Sequence, residues 1–457
     1  MIKHVLKFSI IHNYTNFKTS LTILLSILFS QQRSYSQHRI DLTTALSILD
    51  RRNIDIQNLK HQTTLARQEV KDAKNALLPK LNLGLSHNYN FGLAFDQIAG
   101  QLITGNRWTN FANANIGTQV VIFKGFELQN QIRNAVLNLE SNYLELKSLN
   151  RSSKLQLLQI YFTAITNRAL LESGLNQLDF SKEQLQLQRE QFEMGVKTLV
   201  DVSLAESQVA TNELNALTSK NNYINSLIDL KQLLNISYTD SIELEIPENS
   251  IENLYITDTS NSNESLAQNP LIAIANINLT KAELVQKIAK NRYMPTISFS
   301  GGYGTNYSSE RVDFQTGNFM PFLNQVNQNR SLNLGLSLSV PIFDGFQVRS
   351  AKNKADINIL IQKNEIEKVK MEQEKIFQKS LQEYHRSIQE YNVSKKQLKS
   401  LKTSLDALSE RYELGLASPV DFSKALLDHN LSEFKVITSK YNAMYYNEII
   451  KVLNSSS

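Results

Sequence analysis

The sequence predicts a mainly α fold with a transmembrane β section, built from one helix, strand, strand, long helix, helix unit written twice. Three observations carry this expectation. Motifs recur at a near-constant offset, two long segments are free of helix breakers, and four short segments alternate apolar with small polar residues.

The repeat is legible first. Ile122-Phe123-Lys124-Gly125-Phe126 returns as Ile342-Phe343-Asp344-Gly345-Phe346, which places Gly125 and Gly345 220 positions apart. Phe192 to Asp201 (FEMGVKTLVD) returns as Tyr412 to Asp421 (YELGLASPVD), with Gly195 and Gly415 at the same offset. Leu78-Pro79 returns as Met294-Pro295 at 216, so four extra residues fall in a loop between the Pro and the IFxGF segment. Three pairs in the same order at this spacing argue for duplication.

Along the chain, the basic residues Lys3, Lys7 and Lys18, the apolar run Leu21 to Phe29 and the small-x-small site Ser34-Tyr35-Ser36 read as a signal peptide over 1–36, cleaved before Gln37. The first repeat then occupies 37–236, an inter-repeat linker 237–262, and the second repeat 263–457. The linker reading rests on Pro247 and on clustered Asn, Ser, Asp and Thr. Shorter helices are expected over Asp41 to Leu78 and Val202 to Asn235, and over Asn263 to Met294 and Phe422 to Leu453. Long helices are expected over about 125–193 and 345–413, where no proline occurs and Gly174 is the one interior glycine. Each would extend roughly 100 Å. Their apolar residues keep three-four spacing (Ile132, Val136, Leu139, Tyr143, Leu146; Phe377, Leu381, Tyr384, Ile388, Tyr391), which reads as packing seams. Tip turns at 194–201 and 414–421 end them: Gly195 and Gly415 supply helix-ending conformations, and Thr198 with Asp201, or Ser418 with Asp421, suits capping of the next helix.

Strands are expected over about 80–91, 110–123, 296–307 and 330–341. In the first, Leu81, Leu83 and Leu85 alternate with Asn82, Gly84 and Ser86, and in the last, Leu332 to Val340 alternate with Ser, Asn and Gly. In the second, Ala114, Ile116, Thr118, Val120 and Ile122 hold one face; in the third, Ile297, Phe299 and Tyr303 do. This is the pattern of tilted bilayer-crossing strands, apolar toward lipid. Tyr89, Phe91, Trp108, Phe111, Tyr307, Phe319 and Phe322 sit near the strand ends, where membrane girdles place aromatic rings. Pro79, Gly125, Pro295 and Gly345 mark the strand–helix turns. Four strands cannot close a barrel, which needs about eight, and lipid tolerates no open edge. Oligomerisation is therefore expected, and three copies would give a 12-stranded barrel wide enough for water.

Taken together, the Asp41-Leu42 helix start, Asn269-Pro270, the Pro before strands one and three, the IFxGF turns and the paired G-x-x-[TS]-x-V-D turns resemble the TolC-like outer-membrane efflux protein family. The resemblance covers about Asp41 to Leu453. It implies a homotrimer with a 12-stranded β-barrel in the outer membrane continuing into a periplasmic α-helical barrel, with the inter-repeat segment at its equator. It implies a passive exit duct for efflux or type I secretion. The partners it implies are a periplasmic adaptor (membrane fusion) protein, an inner-membrane pump of RND or ABC type, and outer-membrane lipid. Neither enzyme activity nor a cofactor is expected. The resemblance assigns gating and adaptor contact to the tip: Gly195, Thr198, Asp201, Tyr412, Gly415, Ser418, Asp421 and Lys424. Residues matching Tyr412, Asp201 and Asp421 link neighbouring helices or line the constriction in the family. Here the arginine of that linkage is Ala417, and a second constriction acid is Lys424.

Composition limits other readings. A net charge of +5 from interspersed Lys and Glu gives no nucleic-acid footprint. With no cysteine there are no disulfides, no thiol catalysis and no lipid-modified N-terminal Cys. His4, His12, His38, His61, His87, His385 and His429 show no metal-ligand spacing, and Gly301-Gly302-Tyr303-Gly304 lacks the Lys-Ser/Thr of a phosphate loop. The alternative is a secreted periplasmic coiled-coil scaffold or binding protein, which shares the heptads and signal but leaves the four alternating strands unexplained.

Overall fold

Each IFxGF motif turns a chain segment into a long helix by the same device, two successive left-handed residues. Gly125 and Phe126 have φ of 53° and 61°, and Gly345 and Phe346 both have 63°. In the computed structural model the helices therefore start two residues after the glycines, at Glu127 and Gln347. Phe126 and Phe346 each meet the phenylalanine three residues earlier edge-on, at 5.2 and 5.6 Å, contacts that hold an aromatic residue in a backbone region it otherwise avoids. Residues 38–246, 268–313 and 315–454 are described and divide into two units. The signal peptide expected over 1–36, Pro247 and most of the expected linker lie outside them.

In chain order the elements are β1 (His38–Ile40), α1 (Leu42–Arg52), α2 (Ile54–Asn75), β2 (Lys80–Phe91), β3 (Ala94–Asp96), β4 (Gln101–Ile103), β5 (Trp108–Lys124), α3 (Glu127–Glu193) and α4 (Leu199–Leu234). They continue as β6 (Ile242–Leu244), α5 (Pro270–Asn291), β7 (Thr296–Ser308), α6 (Phe322–Gln328), β8 (Ser331–Ser339), α7 (Gln347–Glu413) and α8 (Pro419–Asn454).

One unit combines the sheet with the helix segments nearest to it in sequence. Its four strands run antiparallel in the order β2-β5-β7-β8. The register puts Leu83 beside Ile116, Ile116 beside Tyr303, and Tyr303 beside Leu332, so the apolar residues of all four strands share one face. Leu81, Leu83 and Leu85, and Leu332 to Leu338, are about two-thirds exposed or more on it. One correction to the alternation follows from a bulge between Val121 and Phe123: Ile122 is the extra residue, and Phe123 takes the place opposite Ile297. β8 stops at Ser339 rather than running to 341, because Pro341 cannot donate to a ladder. The helices before Pro79 and Pro295 stop at Asn75 and Asn291, three residues short of the expected ends, because a residue before proline is driven out of the α region.

The connections at the far end of the sheet are ordered, which the sequence did not predict. β3 and β4 form a hairpin, and α6 packs on β7. Asp96 is fully buried, accepts from the Ile98 and Ala99 amides at 2.8 and 2.9 Å, and accepts the hydroxyl of Ser308 at the end of β7. Arg107 pairs with Glu310 at 2.7 Å, and the buried Gln325 side chain bonds both the N–H and C=O of Ser308 at 3.0 and 2.8 Å.

The other unit contains β1, α1, α4, β6 and the remaining parts of α3, α7 and α8. Within the expected linker, β6 is a strand: it pairs in parallel with β1, and Ile40, Ile242 and Leu244 are buried. Tyr161 lies beneath them, its hydroxyl donating to the Glu245 carbonyl at 2.8 Å. The first helix is not continuous. It breaks at Asn53, whose backbone is extended and whose side chain donates to the Leu233 carbonyl at 3.1 Å. Within the single chain, Ala135 and Ser141 are buried while Val136 and Tyr143 of the expected seam are over two-fifths exposed. Small side chains permit close helix approach, and buried serines such as Ser181 and Ser387 bond carbonyls of their own helices.

Candidate functional site

Both tip turns lie in the unit without the large sheet, and each is built by its glycine. Gly195 and Gly415 have φ of 74° and close matching Schellman turns, with Val196 N–H donating to Gln191 C=O at 2.9 Å and Leu416 N–H to Arg411 C=O at 2.8 Å. The following helices begin at Leu199 and Pro419, inside the expected turn ranges, because Thr198 and Ser418 already cap them. Thr198 and Asp201 form a complete capping box. Ser418 donates to Asp421 at 2.8 Å and accepts its N–H at 3.1 Å.

There the symmetry of the repeat ends. Asp201 is 6% exposed and accepts the Tyr412 hydroxyl at 2.9 Å, whereas Asp421 is exposed and caps only its own helix. The counterpart of Tyr412 in the first repeat is Phe192, which has no hydroxyl to give Asp421 an equivalent bond. Lys424 is exposed. Tyr412, itself 7% exposed, stacks parallel on Phe422 at 4.9 Å. Lys197 Nζ lies 3.6 Å from the centre of the Tyr412 ring, a cation–π contact, and Gln188 Oε1 is 3.2 Å from its hydroxyl. The turns of the two repeats are thus tied by the buried, charge-assisted bond from Tyr412 to Asp201 and by Lys197, which lies over the ring and donates to the Tyr412 carbonyl at 3.4 Å.

Burial pushes the Asp201 carboxyl up, but the Thr198 hydroxyl and N–H, the Tyr412 hydroxyl and the charge of Lys197 outweigh it, so the group stays below its ordinary value. Burial, then the bond to Asp201 and its charge, push the Tyr412 phenol well up. Around this link the turns expose apolar side chains: Met194, Val196 and Leu199 on one, and Leu414, Leu416 and Val420 on the other, each 61% exposed or more. A folded surface seldom clusters such residues without a partner.

Sequence reasoning named Gly195, Thr198, Asp201, Tyr412, Gly415, Ser418, Asp421 and Lys424, and the structure joins Asp201 to Tyr412 while leaving Asp421 and Lys424 outside that contact. It missed Lys197, Gln188 and Phe422. A signal for Lys197 was present, since it occupies in the first repeat the position of Ala417 in the second. At the strand–helix turns, Gly125 is buried with a hypothetical Cβ only 2.5 Å from the Asn291 carbonyl oxygen, whereas Gly345 faces open space.

The sequence model of the outer membrane efflux protein family matches residues 45–235 and 261–442. The chain belongs to that family. It is 24% identical over 455 residues to outer membrane protein TolC of Escherichia coli (strain K12), covering 96% of this chain and 86% of that one. It is 22% identical over 404 residues to TolC of Salmonella enteritidis, covering 83% and 74%. Among solved structures it superposes on CusC with a TM-score of 0.78 at 15% identity, over 93% of this chain and 95% of that one. On VceC, an outer membrane protein from Vibrio cholerae, the TM-score is 0.74 at 15% identity, over 91% and 96%. As an outer membrane efflux protein, this chain resides in the outer membrane with its helices extending into the periplasm. That location displaces the soluble periplasmic scaffold considered from sequence.

Proposed function

We propose that three copies of this outer membrane efflux protein form a passive exit duct, the outer component of a tripartite efflux or type I secretion system. The observation that carries the reading is the four-stranded sheet with an exposed apolar face, whose outer strands β2 and β8 have no partner on their outer edges among the described residues. In a bilayer those edges demand partners. Pairing β8 of one copy with β2 of the next satisfies them, and three copies give 12 strands, enough for an aqueous lumen lined by the polar face of Asn115, Gly117, Ser300 and Asn333. The tip is the gate. The bond from Tyr412 to Asp201 holds the two turns of each subunit together, with Lys197 supplying the cation that Ala417 cannot. Asp421 of three subunits, with Lys424 nearby, sets a mixed-charge constriction. The exposed apolar turn residues receive a periplasmic adaptor (membrane fusion) protein, and an inner-membrane pump of RND or ABC type supplies the energy. Native mass spectrometry of the particle extracted from outer membranes tests the assembly. A trimer is expected, and a stable monomer under mild extraction would leave the barrel unclosed and overturn the duct.

A further inference from the structure

At the loop end of the sheet, α6 folds back over the apolar face. Thr305 and Tyr307 share the face of Tyr303 and Phe299 by strand alternation. Thr305 donates through its hydroxyl to the Val326 carbonyl at 2.7 Å, and the Tyr307 ring meets Phe322 edge-on at 5.0 Å. α6 therefore stands on the apolar face, held by these two contacts and by the buried Gln325.

A groove of about 620 Å³ runs between the helix and the strands, a size typical of small-molecule sites. Its wall is Phe322 and Val326 of α6, and its floor is Leu85, Ala112 and Ala114. The floor is hollow for a reason legible in β5: on the apolar face, Val120 and Ile116 give way to Ala114 and Ala112 as the strand passes toward α6. His87 and Asn110 line the same groove and offer polar groups there. Phe91 and Trp108, in contact at 5.1 Å, mark this end of the sheet as the level of the membrane–water boundary.

We infer that this groove is a lipid site, in which one acyl chain of an outer-membrane lipid lies under α6 with its ester and headgroup end toward His87 and Asn110. The inference rests on reading the apolar face as lipid-facing. What occupies the groove follows from continuity: it opens on the surface along which the bilayer supplies acyl chains. Held between a strand floor and a helix wall, this chain is shielded on two sides, unlike those on the open face around Leu334 and Leu336, and exchanges more slowly.

The test reconstitutes the full-length protein in palmitoyl-oleoyl phosphatidylglycerol, washes it in detergent and counts retained lipid by native mass spectrometry. Wild type and Leu334→Phe, a substitution on the open part of the same face, are expected to keep one lipid per chain. Ala114→Phe, which fills the floor, is expected to lower that occupancy at least tenfold. Val326→Trp fills the groove from the helix side without changing a strand residue and is expected to do the same, which covers the case in which Ala114→Phe does not assemble. Retention by the filled variants equal to wild type, or complete loss from wild type on washing, would overturn the site. Failure of wild type to insert into the bilayer would instead overturn the lipid-facing reading of the sheet.

Discussion

Tyr412→Phe removes one oxygen atom and leaves the stack on Phe422 and the contact with Lys197 in place, so it isolates the contacts of the hydroxyl, the bond to Asp201 and the longer approach to Gln188. Both partners are nearly buried, at 7% and 6% exposure, so solvent screens the bond little. Hydrogen bonds to charged groups contribute about 1.5–3 kcal/mol. Asp201 keeps its bonds from the Thr198 N–H and hydroxyl at 2.8 and 2.7 Å, which places the loss toward the lower end of that range. At about 1.4 kcal/mol per decade, the closed-to-open ratio of one subunit's link falls roughly 10- to 100-fold. Single-channel recording in planar bilayers reads this as a raised open probability. Lys197→Ala should act in the same direction but more weakly, since a cation–π contact contributes about 0.5–2 kcal/mol. An open probability for Tyr412→Phe within about twofold of wild type would refute the hydroxyl bond as a closing link, because the bond's lowest estimate already predicts about a decade.

Four further outcomes follow from the same geometry. Asp201 is depressed in the folded state, so its stabilisation is present above the unfolded value of about 3.9 and is lost as pH falls through the folded value. Tyr412 is raised, so its share is fully present below the unfolded value of about 10 and is lost as pH rises through the higher folded value; conductance should stay low between roughly pH 4 and 10, with an acid limb absent in Asp201→Asn. Asp421→Ala should leave closure intact but change single-channel conductance and its salt dependence, and unchanged values would remove Asp421 from the constriction. Gly345→Ala should cost about 1–2 kcal/mol for its left-handed backbone alone, while Gly125→Ala adds the overlap with Asn291; comparable yields of assembled protein would deny that difference. Gly174→Ala should stabilise by about 0.5–1 kcal/mol, since its Cβ would meet Ala216 at an ordinary 3.5 Å; a lowered melting midpoint would show a tighter contact.

Much of the fold was legible because it is written in short periods. Helix and strand spacings, the prolines and the duplicated glycine turns are local, and they located the long helices and the four-stranded sheet to within a few residues. The misses share one cause. Asn53 breaks a helix through a bond 180 residues away, β6 becomes a strand only beside β1, and Asp96 is buried against Ser308 212 residues on.

The candidate site divides in the same way. The sequence by itself determined that two matching turns exist, that each has a glycine, a hydroxyl cap and an aspartate, and that four alternating strands need partners to cross a bilayer. Only the tertiary structure decided that Asp201 is the buried aspartate and Asp421 the exposed one, that Lys197 covers Tyr412, and that α6 walls a groove over Ala112 and Ala114. Caps and turns depend on neighbours within about four residues, which a sequence displays directly. Burial and charge pairing depend on chains brought together from more than 200 residues apart, and two copies of one motif carry no mark of which will be enclosed.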